Sequence, residues 1–352
     1  MTLRTRHMRP PAVGPGRPGL VWPVALDPSG RDGPTEAQAR GRGWVRATRG
    51  LYLPADLDPT LATDQRIVTA AALLPPGGAL TGWAALRWSG ARHLDGMRGR
   101  VDLPVPLAVP PSSLRPRRGV RLTEAAYLRR ALVEVDGLTL TTPCASTAFE
   151  VLHAPSLVDA VAVVDRACAA DLVSLAEMEA WTERLAGARW VTRLRTTIAL
   201  ADENCWSPAE TAMRLCWLDI GIRTIVCNRP VFDLEGRFLG TPDLLDLELG
   251  VAGEYDGPLH LAGQQRAKDI RREGVFRRAG LEYVEMVAAD LGDTTDFIQR
   301  TVDARQRARA IPGVRRWTAT PPDGWVSTHT VARRRALTPW QRARFLRWQR
   351  EH

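Results

Sequence analysis

Four acids and a histidine fall within one stretch of the chain: Glu210, Asp243, Glu254, Asp256 and His260. Carboxylates gathered on one face repel each other unless a proton or a cation intervenes. The natural tenant is a hard, oxygen-seeking ion such as Mg²⁺, with Mn²⁺ in its place under some conditions. Such an ion polarises a phosphodiester and lowers the pKa of an attacking water. His260, just after the last acid, is a candidate base or leaving-group acid.

The surrounding residues predict the elements that hold these groups. Ser207 reads as an N-cap, Pro208 as the first helical position and Glu210 as the closing member of a capping box. Ala209, Ala212, Met213, Cys216, Trp217 and Ile220 follow helical spacing to a stop at Gly221. Strands are expected at Arg223–Cys227, Val231–Leu234, Thr241–Leu247 and Val251–Asp256. A helix over Ala262–Ala279 ends at Gly280, and a last strand covers Leu281–Val287. This order predicts an α/β domain around one mixed sheet.

Asp243 and Glu254 then sit on neighbouring strands about 4.8 Å apart, close enough to share an ion. Glu254 and Asp256 are two apart and point to one face. Gln264, Lys268, Arg271 and Arg272 share a face of the following helix. Each acid also has a plain structural use. Glu210 caps its helix, Asp243 guards a strand edge and Asp256-Gly257 makes a turn.

Ser207-Pro208-Ala209-Glu210, the Asp243 strand, Glu254-Tyr255-Asp256-Gly257, His260 and Asp269-x-x-Arg272 together resemble the very-short-patch-repair-like endonuclease family. That family lies within the PD-(D/E)XK nuclease superfamily. The resemblance covers roughly residues 205–290. It implies a restriction-endonuclease-like fold, Asp243 and Glu254 as metal ligands, Glu210 as an acidic helper and His260 near the scissile phosphate. One position departs from the pattern: Asp256 stands where the superfamily usually has Lys. Lys268, Arg271 or Arg272 would then supply the cation that stabilises developing charge.

Gly33-Pro34-Thr35 leads into a short helix, Glu36–Arg40. Alternating residues from Trp44 to Pro54 then predict a β-hairpin around Arg49-Gly50. Together with Thr81-Gly82-Trp83-Ala84-Ala85, this stretch resembles the winged-helix antitoxin domain of type IV toxin–antitoxin systems. On that outline Arg46 and Arg49 reach phosphate. The plain alternative is a small structural hairpin.

The 352 residues are 45% hydrophobic and 25% charged, as in a globular protein with room for two or three cores. The expected organisation is a disordered arm at 1–20, a winged-helix-like domain at 21–90 and a mixed then helical connector at 91–200. A nuclease domain follows at 201–310, and a basic tail with a terminal helix at 311–352. No apolar run reaches the roughly 18 residues of a membrane span, so no membrane partner is expected. Five unpaired-looking cysteines point to a reducing, cytoplasmic setting.

The net charge of +9 is uneven: residues 305–352 hold twelve arginines against Asp323 and Glu351. A basic end suggests DNA as the partner. Arg342 and Arg347, with Trp340, Phe345 and Trp348 between the arginines, suit backbone contact and stacking. Two functions are expected from this sequence. One is a metal-dependent DNA endonuclease. The other is a DNA-binding regulator or antitoxin with an inert nuclease-like domain and a cognate toxin or other protein partner.

Overall fold

Apolar stripes and strands of this chain close two separate cores, one on each side of a division after Glu150. The computed structural model describes residues 16–185, 187, 190–256, 273–310, 315–347 and 349.

In the first unit, α1 (Glu36–Ala39) is a single turn held by a Thr35–Gln38 capping box. It leads to the antiparallel hairpin of β1 (Trp44–Thr48) and β2 (Leu51–Pro54). Gly50 supplies the left-handed turn residue at φ +81°. Next come α2 (Ala62–Ala71), β3 (Ala79–Leu80) and α3 (Gly82–Trp88). A small hairpin, β4 (Met97–Arg98) with β5 (Val101–Asp102), precedes β6 (Val105–Ala108), β7 (Val120–Thr123), β8 (Leu132–Val135) and β9 (Leu138–Thr141).

Five of these strands form an open mixed sheet in the order β7-β6-β3-β9-β8. The pairs β6–β7 and β3–β9 are parallel and the others antiparallel. Both α2 and α3 pack on β6, burying Ile67, Val68, Leu86 and Trp88 with Leu80 and Leu107. The indole N–H of Trp88 donates to the Val135 carbonyl at 2.8 Å, so the large ring is buried without an orphaned donor.

The division falls within α4 (Pro143–His153). The second unit then opens with helices: α5 (Leu157–Ala169), α6 (Leu175–Glu183), α7 (Val191–Leu200) and α8 (Pro208–Asp219). Ser156, Ser174 and Ser207 cap α5, α6 and α8. Packing of α5 against α8 buries an ion pair, Asp165 to Arg214 at 2.7 Å. Thr211 donates a further hydrogen bond to Asp165 at 2.7 Å, so the buried charge is well partnered.

Two sheets follow. β10 (Ile225–Cys227), β13 (Leu244–Asp246), β14 (Val251–Asp256) and β15 (Glu282–Val287) form an open sheet in the order β10-β13-β14-β15. Only the β14–β15 pair is parallel, so this sheet too is mixed. A second, three-stranded sheet joins β11 (Val231–Asp233), β12 (Phe238–Gly240) and β16 (Trp317–Thr318).

One side of the four-stranded sheet is covered by α8 and by α9 (Thr295–Ala310), with Met213, Trp217, Leu244, Val251, Phe297 and Ala304 in one cluster. A second cluster joins Leu245 and Ala252 to Val231, Phe276, Leu281 and Trp317. Neighbouring strand residues therefore face opposite clusters, as the period of two requires. Two short helices, α10 (Val331–Arg335) and α11 (Pro339–Phe345), complete the unit.

The second unit is thus an α/β domain with open mixed sheets preceded by helices. Among the described residues, no helix is long and apolar enough to cross a membrane.

Candidate active site

Three of the acids arrive from three elements. Ser207 Oγ accepts the Glu210 N–H at 3.2 Å, fixing Glu210 in the first turn of α8, where it is buried. The expected return bond of the capping box is redirected. Glu210 Oε2 accepts the Trp206 N–H at 2.8 Å and an Asn228 amide N–H at 2.7 Å.

Asn228 is a site residue that no motif announces. It leaves β10 in a left-handed conformation, φ +48°, which Asn tolerates better than most side chains. Its amide also donates to the Asn204 carbonyl at 2.8 Å, and its backbone N–H donates to the Asp243 carbonyl at 2.9 Å. One asparagine thereby ties the first turn of α8 to the residue that precedes β13.

The β13–β14 register sets Leu244 opposite Gly253. One step outward brings Asp243 level with Glu254. Directly opposed residues of an antiparallel pair share a face. The Tyr255 N–H donates to Asp243 Oδ2 at 2.8 Å, so β14 itself orients this carboxylate. Glu254 is only 4% exposed. Asp256, two residues on along β14, is half-buried.

Burial first, and then the Asp243 charge, push the Glu210 carboxyl up to about 8. Its Oε2 takes two N–H donors. Every ligand atom that these acids offer is a hard oxygen. That chemistry fits a divalent cation such as Mg²⁺. Among the described residues, no group of three or more His, Cys, Asp and Glu side chains is arranged to hold a metal ion. Mg²⁺ commonly takes one or two protein carboxylates and fills its other positions with water and phosphate oxygens, so Asp243 and Glu254 are a sufficient protein share.

His260, Lys268, Arg271 and Arg272 lie outside the described residues. Residues 273–278, which follow them, are helical, and Gly280 at φ +84° ends that segment.

Arg46 and Arg49 are exposed on the β1–β2 hairpin of the first unit. The basic tail is largely engaged with its own unit. Arg342 pairs with Asp171 at 2.7 Å, as does the fully buried Arg334 at 2.6 Å. Arg335 pairs with Glu177, Arg305 with Asp246, and Arg307 with Glu282. Arg347 is exposed, and Trp340 is 64% exposed with the Arg344 guanidinium 5.2 Å from its ring centre. Composition counts this positive charge correctly but cannot show which acids answer it.

Compared with known proteins, the chain matches no family model, no curated protein and no solved structure.

Proposed function

We propose that the second unit is a metal-dependent endodeoxyribonuclease with a restriction-endonuclease-like core. The observation that carries this reading is the meeting of Glu210, Asp243 and Glu254 from α8, the residue before β13 and the middle of β14. Asp243 and Glu254 would hold Mg²⁺ or Mn²⁺. When bound, the ion supplies a Lewis acid for the phosphodiester and an acidified water.

The protein groups do the rest. Tyr255 and Asn228 orient the Asp243 carboxylate and backbone. Glu210, held by Ser207, Trp206 and Asn228, is the acidic helper beside Asp243. His260 is assigned a proton-transfer role beside the scissile phosphate. Lys268, with Arg271 and Arg272, is assigned the cationic role that Asp256 cannot fill. The exposed hairpin with Arg46 and Arg49, read as the wing of a winged helix, gives a second contact with DNA backbone. The setting assigned is the cytoplasm.

The test is nicking of supercoiled plasmid and of single-stranded DNA by the full chain, with Mg²⁺ or Mn²⁺ and with chelator. Metal-dependent nicking that disappears in Asp243→Asn/Glu254→Gln is the expected result. Nicking that survives in that variant would sink the assignment.

A second reading is favoured by Asp256 itself, an acid where a cation is expected. The chain would then be a DNA-binding regulator or antitoxin with a silent nuclease-like domain and a protein toxin as partner. It predicts selective promoter binding that Arg46→Ala/Arg49→Ala weakens, with no nicking under any metal.

A further inference from the structure

Three segments of the second unit converge beside Glu210 and Asp243. Residues 202–204 are stitched to the β10–β11 turn by two amides. Asn204 Nδ2 donates to the Cys227 carbonyl at 2.7 Å, and Asn228 Nδ2 donates to the Asn204 carbonyl at 2.8 Å. The same residues hold the 328–334 segment. Glu203 accepts the Val331 N–H at 2.7 Å through its carboxylate, and the Arg334 guanidinium at 3.0 Å through its carbonyl.

Beside the acids Asp202 and Glu203, these segments bring together several cationic side chains. Arg229 follows Asn228 directly and is half-buried. Burial works against its charge, Asp202 favours it, and Arg333 opposes it. Arg333 is exposed on α10. Among the described residues, neither Arg229 nor Arg333 has its guanidinium in an ion pair. This contrasts with Arg334, Arg335 and Arg342 nearby, each matched to an acid.

His329 lies among Arg229, Arg333 and Arg334. Burial first, then these three charges, hold its imidazole neutral, down to about 4. Ser327 Oγ is 2.6 Å from its Nδ1. In the tautomer whose Nδ1 accepts from the Ser327 hydroxyl, the ring proton sits on Nε2.

Unmatched positive charge next to a carboxylate site invites an anion, and the donors present are those that take phosphate oxygens: two guanidiniums and a ring N–H. We propose that Arg229, Arg333 and His329 form a seat for one or two backbone phosphates of a nucleic acid, beside the Glu210–Asp243 site. The naming of nucleic acid as the occupant rests on the nuclease reading. The seat itself rests on the convergence of the three segments.

The seat also gives the 328–334 segment a purpose beyond packing. It supplies positive charge from α10 to a site whose acids come from α8, β13 and β14. The cation missing at position 256 is thereby complemented by charge that holds neighbouring phosphates. Arg229, Arg333 and His329 position substrate and do not touch the reacting atoms.

The experiment uses the full chain in chelator, so that no cleavage intervenes. Fluorescence anisotropy with labelled 20-mers, single-stranded and duplex, is measured over a salt series for wild type, Arg229→Gln, Arg333→Gln and the double variant. Thermal melting confirms that each variant is folded. The expected result is at least about tenfold weaker binding by the double variant. Its duplex salt slope should be shallower by about two, near one for each phosphate no longer neutralised. Unchanged affinity and slope in a folded double variant overturn the proposal.

Inorganic phosphate, followed by the His329 ring resonances, separates the possible occupants. A phosphate-induced shift combined with weakened oligonucleotide binding supports the seat as stated. The same shift with unchanged oligonucleotide binding means a free oxyanion is the ligand, and overturns the nucleic-acid assignment. Weakened binding without nicking under any metal retains the seat and removes the nuclease reading. Nicking with unchanged binding does the reverse.

Discussion

The backbone N–H of Tyr255 donates to Oδ2 of Asp243 at 2.8 Å, so the strand that carries Glu254 also aims the acid opposite it. Structure and charge at Asp243 can therefore be separated by substitution. Asp243→Asn retains an amide oxygen for Tyr255 and loses the charge. Asp243→Ala loses both. On the nuclease reading, both variants should cut DNA at least about a hundredfold more slowly, the scale seen when one electrostatic group of an active site is removed. Only the alanine variant should also lose about 1 kcal/mol in urea denaturation, the net worth of one hydrogen bond. Equal stabilities would show that this bond does not orient the strand.

Gly253 is the close-approach point of the sheet. A Cβ there would meet Trp217 Cζ2 at 2.8 Å and Met213 Sδ at 3.4 Å. Trp217 is fully buried. Gly253→Ala should destabilise the second unit by ~1–3 kcal/mol through overpacking. It should also displace the adjacent Glu254 and slow cleavage. Adding Trp217→Phe should recover part of both losses, because a smaller ring frees the space. Calorimetry and the nicking assay on the two variants check this, and failure of rescue would place the strain elsewhere.

Arg334 is completely buried, with Asp171 at 2.6 Å and the carbonyls of Thr328, Cys168 and Glu203 as acceptors. Arg334→Ala leaves a buried carboxylate with Arg342 and the Gln349 amide to answer it. The expected cost is about 3–5 kcal/mol, as for breaking a buried ion pair. The double variant Arg334→Ala/Asp171→Ala should lose less than the sum of the singles. Strict additivity in that cycle would mean the two charges do not interact.

Glu150 gives the first unit a pH dependence. Burial raises its carboxyl above the ordinary value, against the Trp83 N–H and the charges of Arg121 and Arg98. An acid with a raised folded pKa stabilises fully below its unfolded pKa, about 4.3 for Glu, and loses that contribution as pH rises through the folded value. Wild type should therefore gain melting temperature relative to Glu150→Gln as the pH falls from 8 toward 5. The glutamine oxygen can still accept the Trp83 N–H, which Glu150 Oε1 accepts at 2.8 Å. Parallel melting curves across that range would contradict the shift.

Local signals made part of this fold legible in the sequence. The Ser207-Pro208 cap places α8 almost to the residue, and β14 spans the Val251–Asp256 expected as a strand. α9 carries no such signal. Its buried positions are Phe297, Thr301 and Ala304, and two of these are too polar or too small to draw an apolar stripe among Asp, Arg and Gln. β16 is two residues long and is defined only by its pairing to β11. The acids were visible because their spacing has a local meaning. The linkage through Asn228 was not, since a left-handed asparagine between two strands looks like any loop residue. The same holds for the tail. Twelve arginines are countable, but Asp171, the acid that pairs with Arg334 and Arg342, lies more than 160 positions away.

That separation bears on how the protein is made. Asp171 emerges from a ribosome long before Arg334 and Arg342, which close on it. Domains generally fold as units in the order they are synthesised. The unit ending at Glu150 contains its own partners and can finish early. The second unit must wait with Asp171 lacking its ion-pair partners, and Glu203 held through the Leu175 N–H, until residues 331–342 arrive. A nascent chain stalled before that point should therefore be more open to proteases and chaperones in residues 157–205 than the finished molecule is.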